Sequence, residues 1–124
     1  MGSKKVLIVE DEMIIALLIE RMVTNLGHTV LDKVTSGEEA VAAALENEPD
    51  IILMDIQLPR MDGYEATQRI RQEDADLPII AQTAYANYND VVKSLDAGCN
   101  DFIAKPIKRK KLLAMIDKYM HKEN

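Results

Sequence analysis

Hydrophobic positions fall in short runs that alternate with longer amphipathic stretches. The segment "KVLIV" (5–9) is compact, apolar and β-branched, as a buried strand is. "EMIIALLIERMVTNLG" (12–27) has the length of a helix and is stopped by Gly27. "HTVLDKVT" (28–35) alternates as a half-buried strand does. Ser36 stands before "GEEAVAAALENE" (37–48) with Glu39 three residues on, the pattern of a capping box, and Pro49 closes that helix. "DIILMD" (50–55) is a second apolar strand, and after the break at Pro59 "GYEATQRIRQED" (63–74) reads as the third helix. A strand "LPIIAQT" (77–83), a helix "NYNDVVKSLDAG" (87–98), a strand "DFIAK" (101–105) and a helix "KRKKLLAMIDKYMHK" (108–122) complete five β–α units. Near-continuous apolar strands between helices predict a parallel sheet covered on both faces. A closed barrel needs eight units, so five predict an α/β, flavodoxin-like, doubly wound open sheet in the order 2-1-3-4-5. Residues 1–124 read as one domain, with 1–3 as a tail.

The strand ends carry the chemistry. In this architecture ligands bind outside the carboxyl ends of strands 1 and 3. Strand 1 ends in "VEDE" and strand 3 in "MD", so Glu10, Asp11 and Asp55 are expected to converge there. The stretch "ILMDIQLPRMDG" (52–63) explains itself in the same way: Asp55 ends its strand at a cleft floor, and Pro59 and Gly63 turn the chain away. Two unit charges about 4 Å apart repel by ~1 to ~4 kcal/mol, so three carboxylates cost up to roughly 12 kcal/mol, comparable with the stability of a whole domain. A divalent ion relieves this. An all-oxygen set points to Mg²⁺, or Mn²⁺, rather than zinc. Strands 4 and 5 end in Thr83 and Lys105, a hydroxyl and an ammonium suited to a phosphoryl group, and a free carboxylate among them can act as nucleophile.

Composition narrows the class. Hydrophobic residues make up 48% and aromatic residues 4%, so the core is aliphatic. A net charge of -6 argues against nucleic-acid binding and fits a cytoplasmic monomer that repels its own copies. The apolar run after "MGSKK" is too short for a signal peptide or membrane span. Cys99 is the only cysteine, so an internal disulfide is excluded, and it reads as a small packing residue in a reducing compartment.

At this point "LIVEDE" (7–12), "DIILMDIQLPRMDGYE" (50–65), "PIIAQTAYA" (78–86) and "AGCNDFIAKPI" (97–107) together resemble the receiver domain of two-component response regulators, of the chemotaxis-regulator type. The resemblance spans essentially the whole chain. It implies that Asp55 accepts phosphate from a histidine kinase or a histidine phosphotransfer domain. It implies that Asp11, Asp55 and the backbone carbonyl of Gln57 hold Mg²⁺, with Glu10 acting mainly through water. Lys105 would pair with the phosphoryl oxygens and Thr83 would hydrogen-bond one of them. Gln57 and Tyr85 would flank the hydrolytic water and tune dephosphorylation. Phe102, where Tyr is frequent, would be a switch with Thr83, and a downstream protein would dock on the face of the fourth helix, fifth strand and fifth helix. Ile15 and Pro106 would contact the phosphoryl donor. Gln82 is unusual in an otherwise apolar strand.

Competing readings come from the same residues. Asp11 reads as an N-cap of the first helix as well as a ligand. That helix has an apolar band too wide for one buried face; a core stripe is expected through Ile14, Leu18, Met22 and Leu26, with Ile15 exposed. Asp62-Gly63 reads as turn and cap, "KRKK" (108–111) as a solvated helix start, and His28 and His121 as surface residues. The alternative function is a Mg²⁺-dependent phosphohydrolase with an aspartyl nucleophile, acting on a small molecule. Such enzymes carry an acid two residues after the nucleophile, where this chain has Gln57.

Overall fold

A computed structural model describes residues 3–84 and 88–120. Among the described residues five strands alternate with five helices: β1 (Lys5–Val9), α1 (Met13–Asn25), β2 (Thr29–Val34), α2 (Gly37–Asn47), β3 (Ile51–Asp55), α3 (Gly63–Glu73), β4 (Ile79–Thr83), α4 (Tyr88–Ala97), β5 (Asp101–Ala104) and α5 (Arg109–Met120). The sheet is parallel throughout, in the order β2-β1-β3-β4-β5. This is the expected doubly wound fold, and the expected element ends differ from the observed ones by one or two residues. No described helix is long and apolar enough to cross a membrane.

The inner strands are buried on both faces, as their unbroken apolar runs require. Alternate residues feed two cores. Leu7, Val9, Ile52, Met54, Ile79 and Ala81 pack toward α2 and α3, whose Ala40, Ala44, Ala66 and Ile70 meet them. Val6, Ile8, Leu53, Ile80 and Ile103 pack toward α1 and α5, through Ile19, Val23, Leu112 and Ile116.

Helix ends follow local chemistry. The Ser36 side chain accepts from the Glu39 N–H at 3.1 Å, while the Glu39 carboxylate reaches back to the Thr35 N–H at 2.9 Å, one residue earlier than a capping box would place it. Asp62 caps α3 by accepting from the Glu65 N–H at 3.0 Å, as the turn reading predicted. Gly27 ends α1 with a φ of 93°, a left-handed conformation that glycine adopts freely. Asp11 is not a cap: Glu12 holds the N-cap position of α1 and no side chain caps it.

Half of the expected stripe of α1 is out of phase: Met22 and Leu26 pack against the core, but Ile14 and Leu18 do not. Ala16, Ile19 and Val23 are buried, Ile14 is 74% exposed and Leu18 is 53% exposed. Ile15, read as the exposed excess, is half-buried against the core. The fully buried face, through Ala16, Ile19 and Val23, is turned by about one residue, ~100°, from the expected stripe of large side chains. Met13, Ile14, Leu17 and Leu18 form the exposed apolar group instead.

The amino end of the sheet is held by one arginine. Arg71 of α3 donates to the Gly98 carbonyl at 2.8 Å, the Asp74 carbonyl at 3.1 Å and Asn100 Oδ1 at 2.7 Å. The same Asn100 oxygen accepts the Ile79 N–H at 2.8 Å at the start of β4.

Candidate functional site

At the opposite, carboxyl end of the sheet the apolar layers stop and charge begins. Val9 pairs with Met54, so Glu10 lies beside Asp55. Both are buried, at 1% and 2% exposure, whereas Asp11 is exposed. Ligand oxygens of Glu10, Asp11 and Asp55 all lie within 4.8 Å of one another. Lys105, one residue past β5, places its Nζ 3.1 Å from Glu10 Oε1 and 3.1 Å from Asp55 Oδ2. The other Asp55 oxygen, Oδ1, accepts the Gln57 N–H at 3.1 Å, and Glu10 Oε2 accepts the Glu12 N–H at 3.2 Å.

The local fold fixes these positions. After Asp55 the chain leaves the sheet, held by Ile56 N–H to Gln82 O at 3.1 Å and Gly63 N–H to Ile56 O at 3.0 Å. Thr83 is buried at the end of β4, and its carbonyl accepts the Lys105 N–H at 2.8 Å. Phe102 pairs with Ala81, two residues before Thr83, and its half-buried ring packs into the core on the α2–α3 side.

The electrostatics follow from burial. Desolvation, with the charge of Asp55 beside it, pushes the Glu10 carboxyl up to about 7. Burial works against the Lys105 ammonium, but Asp55 and Glu10 outweigh it and raise its pKa above the ordinary lysine value. Lys105 is thus the internal counter-ion of the acids. Their mutual repulsion is therefore partly offset before any ion or phosphoryl group arrives, a role beyond the pairing with phosphoryl oxygens expected of Lys105.

An all-oxygen cluster with one exposed member fits a hard divalent cation that keeps several waters. Asp11 and Asp55 present oxygens within 4.8 Å of each other, near the ~4.2 Å that two oxygens each about 2.1 Å from one Mg²⁺ can span. Gln57 is exposed directly after the site, where its backbone faces the cluster through Asp55 Oδ1.

Other expected residues take these places. Ile15, Leu18, Met22, Pro106 and Ile107 line an apolar groove of about 110 Å³ that also touches Lys105. The exposed Met13, Ile14, Leu17 and Leu18 adjoin it on α1; the wide apolar band signalled such a surface, but periodicity gave its phase wrongly. Tyr85 and His121 lie outside the described residues. Cys99 is buried against Thr67, as a packing residue is.

Comparison with known proteins agrees with this geometry. Residues 6–117 match the family model described as the response regulator receiver domain. The chain is 34% identical over 116 residues to the chemotaxis protein CheY of Thermotoga maritima, covering 94% of this chain and 97% of that one. It is 36% identical over 112 residues to the transcriptional regulatory protein TcrA of Mycobacterium tuberculosis, covering 90% of this chain and 44% of that protein. It spans about half the length of several other curated relatives. Among solved structures, the receiver domain of sensor histidine kinase PA1611 from Pseudomonas aeruginosa, with a magnesium ion coordinated in its active-site cleft, superposes with a TM-score of 0.88 at 40% identity, covering 96% of this chain and 98% of that one. The phosphohydrolase alternative finds no support among these relatives. With the strand order, the acid cluster and the lysine in place, the match over 6–117 is decisive: the chain belongs to the response regulator receiver domain family.

Proposed function

We propose that this receiver domain accepts a phosphoryl group on Asp55 from a phospho-histidine. The observation that carries the reading is the Lys105 ammonium, 3.1 Å from both Asp55 and Glu10, beside the exposed carboxylate of Asp11. An Asp55 carboxylate oxygen attacks phosphorus. The new P–O bond forms as the P–N bond to the donor imidazole breaks, and the imidazole leaves and takes a proton from solvent. Lys105 follows the negative charge from Asp55 to the phosphoryl oxygens, and the Thr83 hydroxyl donates to one of them.

Asp11, Asp55 and the Gln57 carbonyl would hold Mg²⁺, with Glu10 reaching it through water; Mn²⁺ suits the same oxygens. When bound, the ion neutralises charge on the phosphoryl group. Gln57 and Tyr85 would set the lifetime of the aspartyl phosphate, and neither is an acid.

The role is that of a signalling phosphoacceptor in a two-component or phosphorelay pathway, not of a turnover enzyme. The donor is a histidine kinase or histidine phosphotransfer domain, docked on the apolar groove that Ile15 and Pro106 line. A downstream protein would read the α4–β5–α5 face, with Phe102 and Thr83 as the switch. A cytoplasmic monomer that binds no nucleic acid fits the net charge of -6. The test is incubation with acetyl phosphate and Mg²⁺, followed by intact-mass analysis. One added phosphoryl group, absent in Asp55→Asn, is the expected result; label retained in that variant would overturn the assignment.

A further inference from the structure

Gln82 is a buried polar residue that none of these roles uses. Ile80, two residues earlier on β4, packs on the α1–α5 side with Ile8, Leu53 and Ile103. Gln82 has the same parity and so faces the same way. The register sets it directly beside Asp55 on β3 and Ile103 on β5. Its exposure is 0%, and neither Oε1 nor Nε2 has a hydrogen-bond partner. Buried amides are nearly always hydrogen-bonded, and an apolar side chain of the same volume would fill this position without leaving polar atoms unpaired.

Lys105 bears on the same position. It starts from β5, yet its ammonium contacts Asp55 on β3 and Glu10 beyond β1. Adjacent strands lie about 4.8 Å apart, so β5 and β3 are separated by ~10 Å with β4 between them. The lysine stem starts level with position 84, two residues past Gln82, and reaches back across β4 to Asp55, the register partner of Gln82. An ammonium has three N–H donors, and two carboxylates do not use them all.

We propose that Gln82 is a positioning residue for phosphoryl acceptance: its side-chain oxygen accepts a hydrogen bond from the Lys105 ammonium once Asp55 is phosphorylated. The inference rests on the reading of Asp55 as acceptor. In the resting site the charge of Asp55 holds the ammonium. Phosphorylation turns one Asp55 oxygen into the bridging oxygen of an acyl phosphate, a mixed anhydride, and moves the charge outward onto the phosphoryl group. The ammonium moves with the charge to the phosphoryl oxygens, and a neutral acceptor on β4 takes up one of its remaining N–H donors and fixes it there. The Gln82 Nε2 group donates to the carbonyl oxygen that remains on Asp55, so one amide orients both reacting groups.

The test compares wild type with Gln82→Met, which keeps the shape and removes the amide. With saturating Mg²⁺, the maximal rate of labelling by acetyl phosphate should fall about tenfold, the loss expected for one hydrogen bond to a charged group. The half-saturating acetyl phosphate concentration should stay within about twofold, and the melting temperature should not fall. In the beryllofluoride-bound state the Lys105 ¹⁵Nζ signal, protected in wild type by the hydrogen bond, should broaden in the variant. A merely structural Gln82 would shift the melting temperature and leave both the maximal rate and the ¹⁵Nζ signal unchanged, which overturns the proposal. Gln82→Leu repeats the comparison if the Met variant does not fold. A wild-type chain that takes no label overturns the acceptor reading and this inference together; labelling at equal rates in wild type and variant overturns this inference alone.

Discussion

Gly63 lies directly against the backbone of Asp55: a Cβ at Gly63 would overlap the Asp55 carbonyl oxygen and come within 2.8 Å of the Ile56 Cα. The reason for glycine here is space, since its N–H must reach the Ile56 carbonyl at 3.0 Å. Gly63→Ala should cost about 3 kcal/mol or more, because rigid backbone rather than a flexible side chain must move. Urea unfolding measures this. Beryllofluoride binding, followed by NMR, should weaken in parallel, because the displaced backbone is that of Asp55.

Glu10 makes the metal-free protein sensitive to pH. Its carboxyl is pushed from an ordinary 4.5 to about 7 by burial and by Asp55. Between those values the folded chain keeps a proton that the unfolded chain has released. Stability in EDTA should therefore fall as pH rises from about 4.5 to 7, by on the order of 2–3 kcal/mol. Glu10→Gln should flatten that slope, measured by urea unfolding across the pH range. A slope that persists unchanged in the variant would assign it to other groups.

Mg²⁺ should stabilise the fold by mass action, about 2.7 kcal/mol at a hundred times the dissociation constant. Asp11→Ala should abolish most of this gain. In EDTA the same variant should equal or exceed wild type in stability by about 1 kcal/mol or less, because Lys105 already offsets part of the repulsion. A thermal melt with and without Mg²⁺ decides.

The phase of α1 is open to direct measurement. Ile19→Ala should cost about 2–4 kcal/mol, as for a fully buried side chain, whereas Ile14→Ser should stay within about 0.5 kcal/mol. Ile14→Ser should nonetheless slow phosphotransfer from a phospho-histidine protein while leaving acetyl phosphate labelling intact. Equal destabilisation by the two substitutions would restore the stripe of large residues as the buried face.

Phe102 can turn without giving up a hydrogen bond, since its ring has no hydroxyl. Its half-buried ring shares the α2–α3 side of the sheet with Ala81 and the core beyond. Beryllofluoride should change the environment of the ring in aromatic NMR spectra. An unchanged ring beside an altered α4–β5–α5 face would exclude it as the switch.

Much of this was legible in the chain because apolar runs and their breaks are local signals. "KVLIV", "IILMD" and "IIAQT" announce buried parallel strands, and topology then brings Glu10, Asp11 and Asp55 to one edge. The phase of α1 was not legible, because large apolar residues stand on more than one side of that helix and only its packing on the sheet selects among them. Asp11 as a cap failed for a related reason: the turn into α1 is made by backbone and by Glu10 Oε2, not by the nearest small acid. The Lys105 ion pairs join β5 to β1 and β3 across an intervening strand, and no spacing in the sequence expresses that reach.

The Arg71–Asn100 contacts at the far end of the sheet set a mechanical condition on any signal. Asn100 is tied at once to α3 and to the first residue of β4, and Arg71 grips the turn that leaves α4. The turn between α4 and β5 is thereby tied to α3 and β4 at one point, at the end of the sheet away from Thr83 and Lys105. A shift of this segment on phosphorylation of Asp55 would have to pivot near Asn100, with its larger excursion beside the acids. Loosening the tie would leave the chemistry of Asp55 intact and take away the fixed point of that pivot.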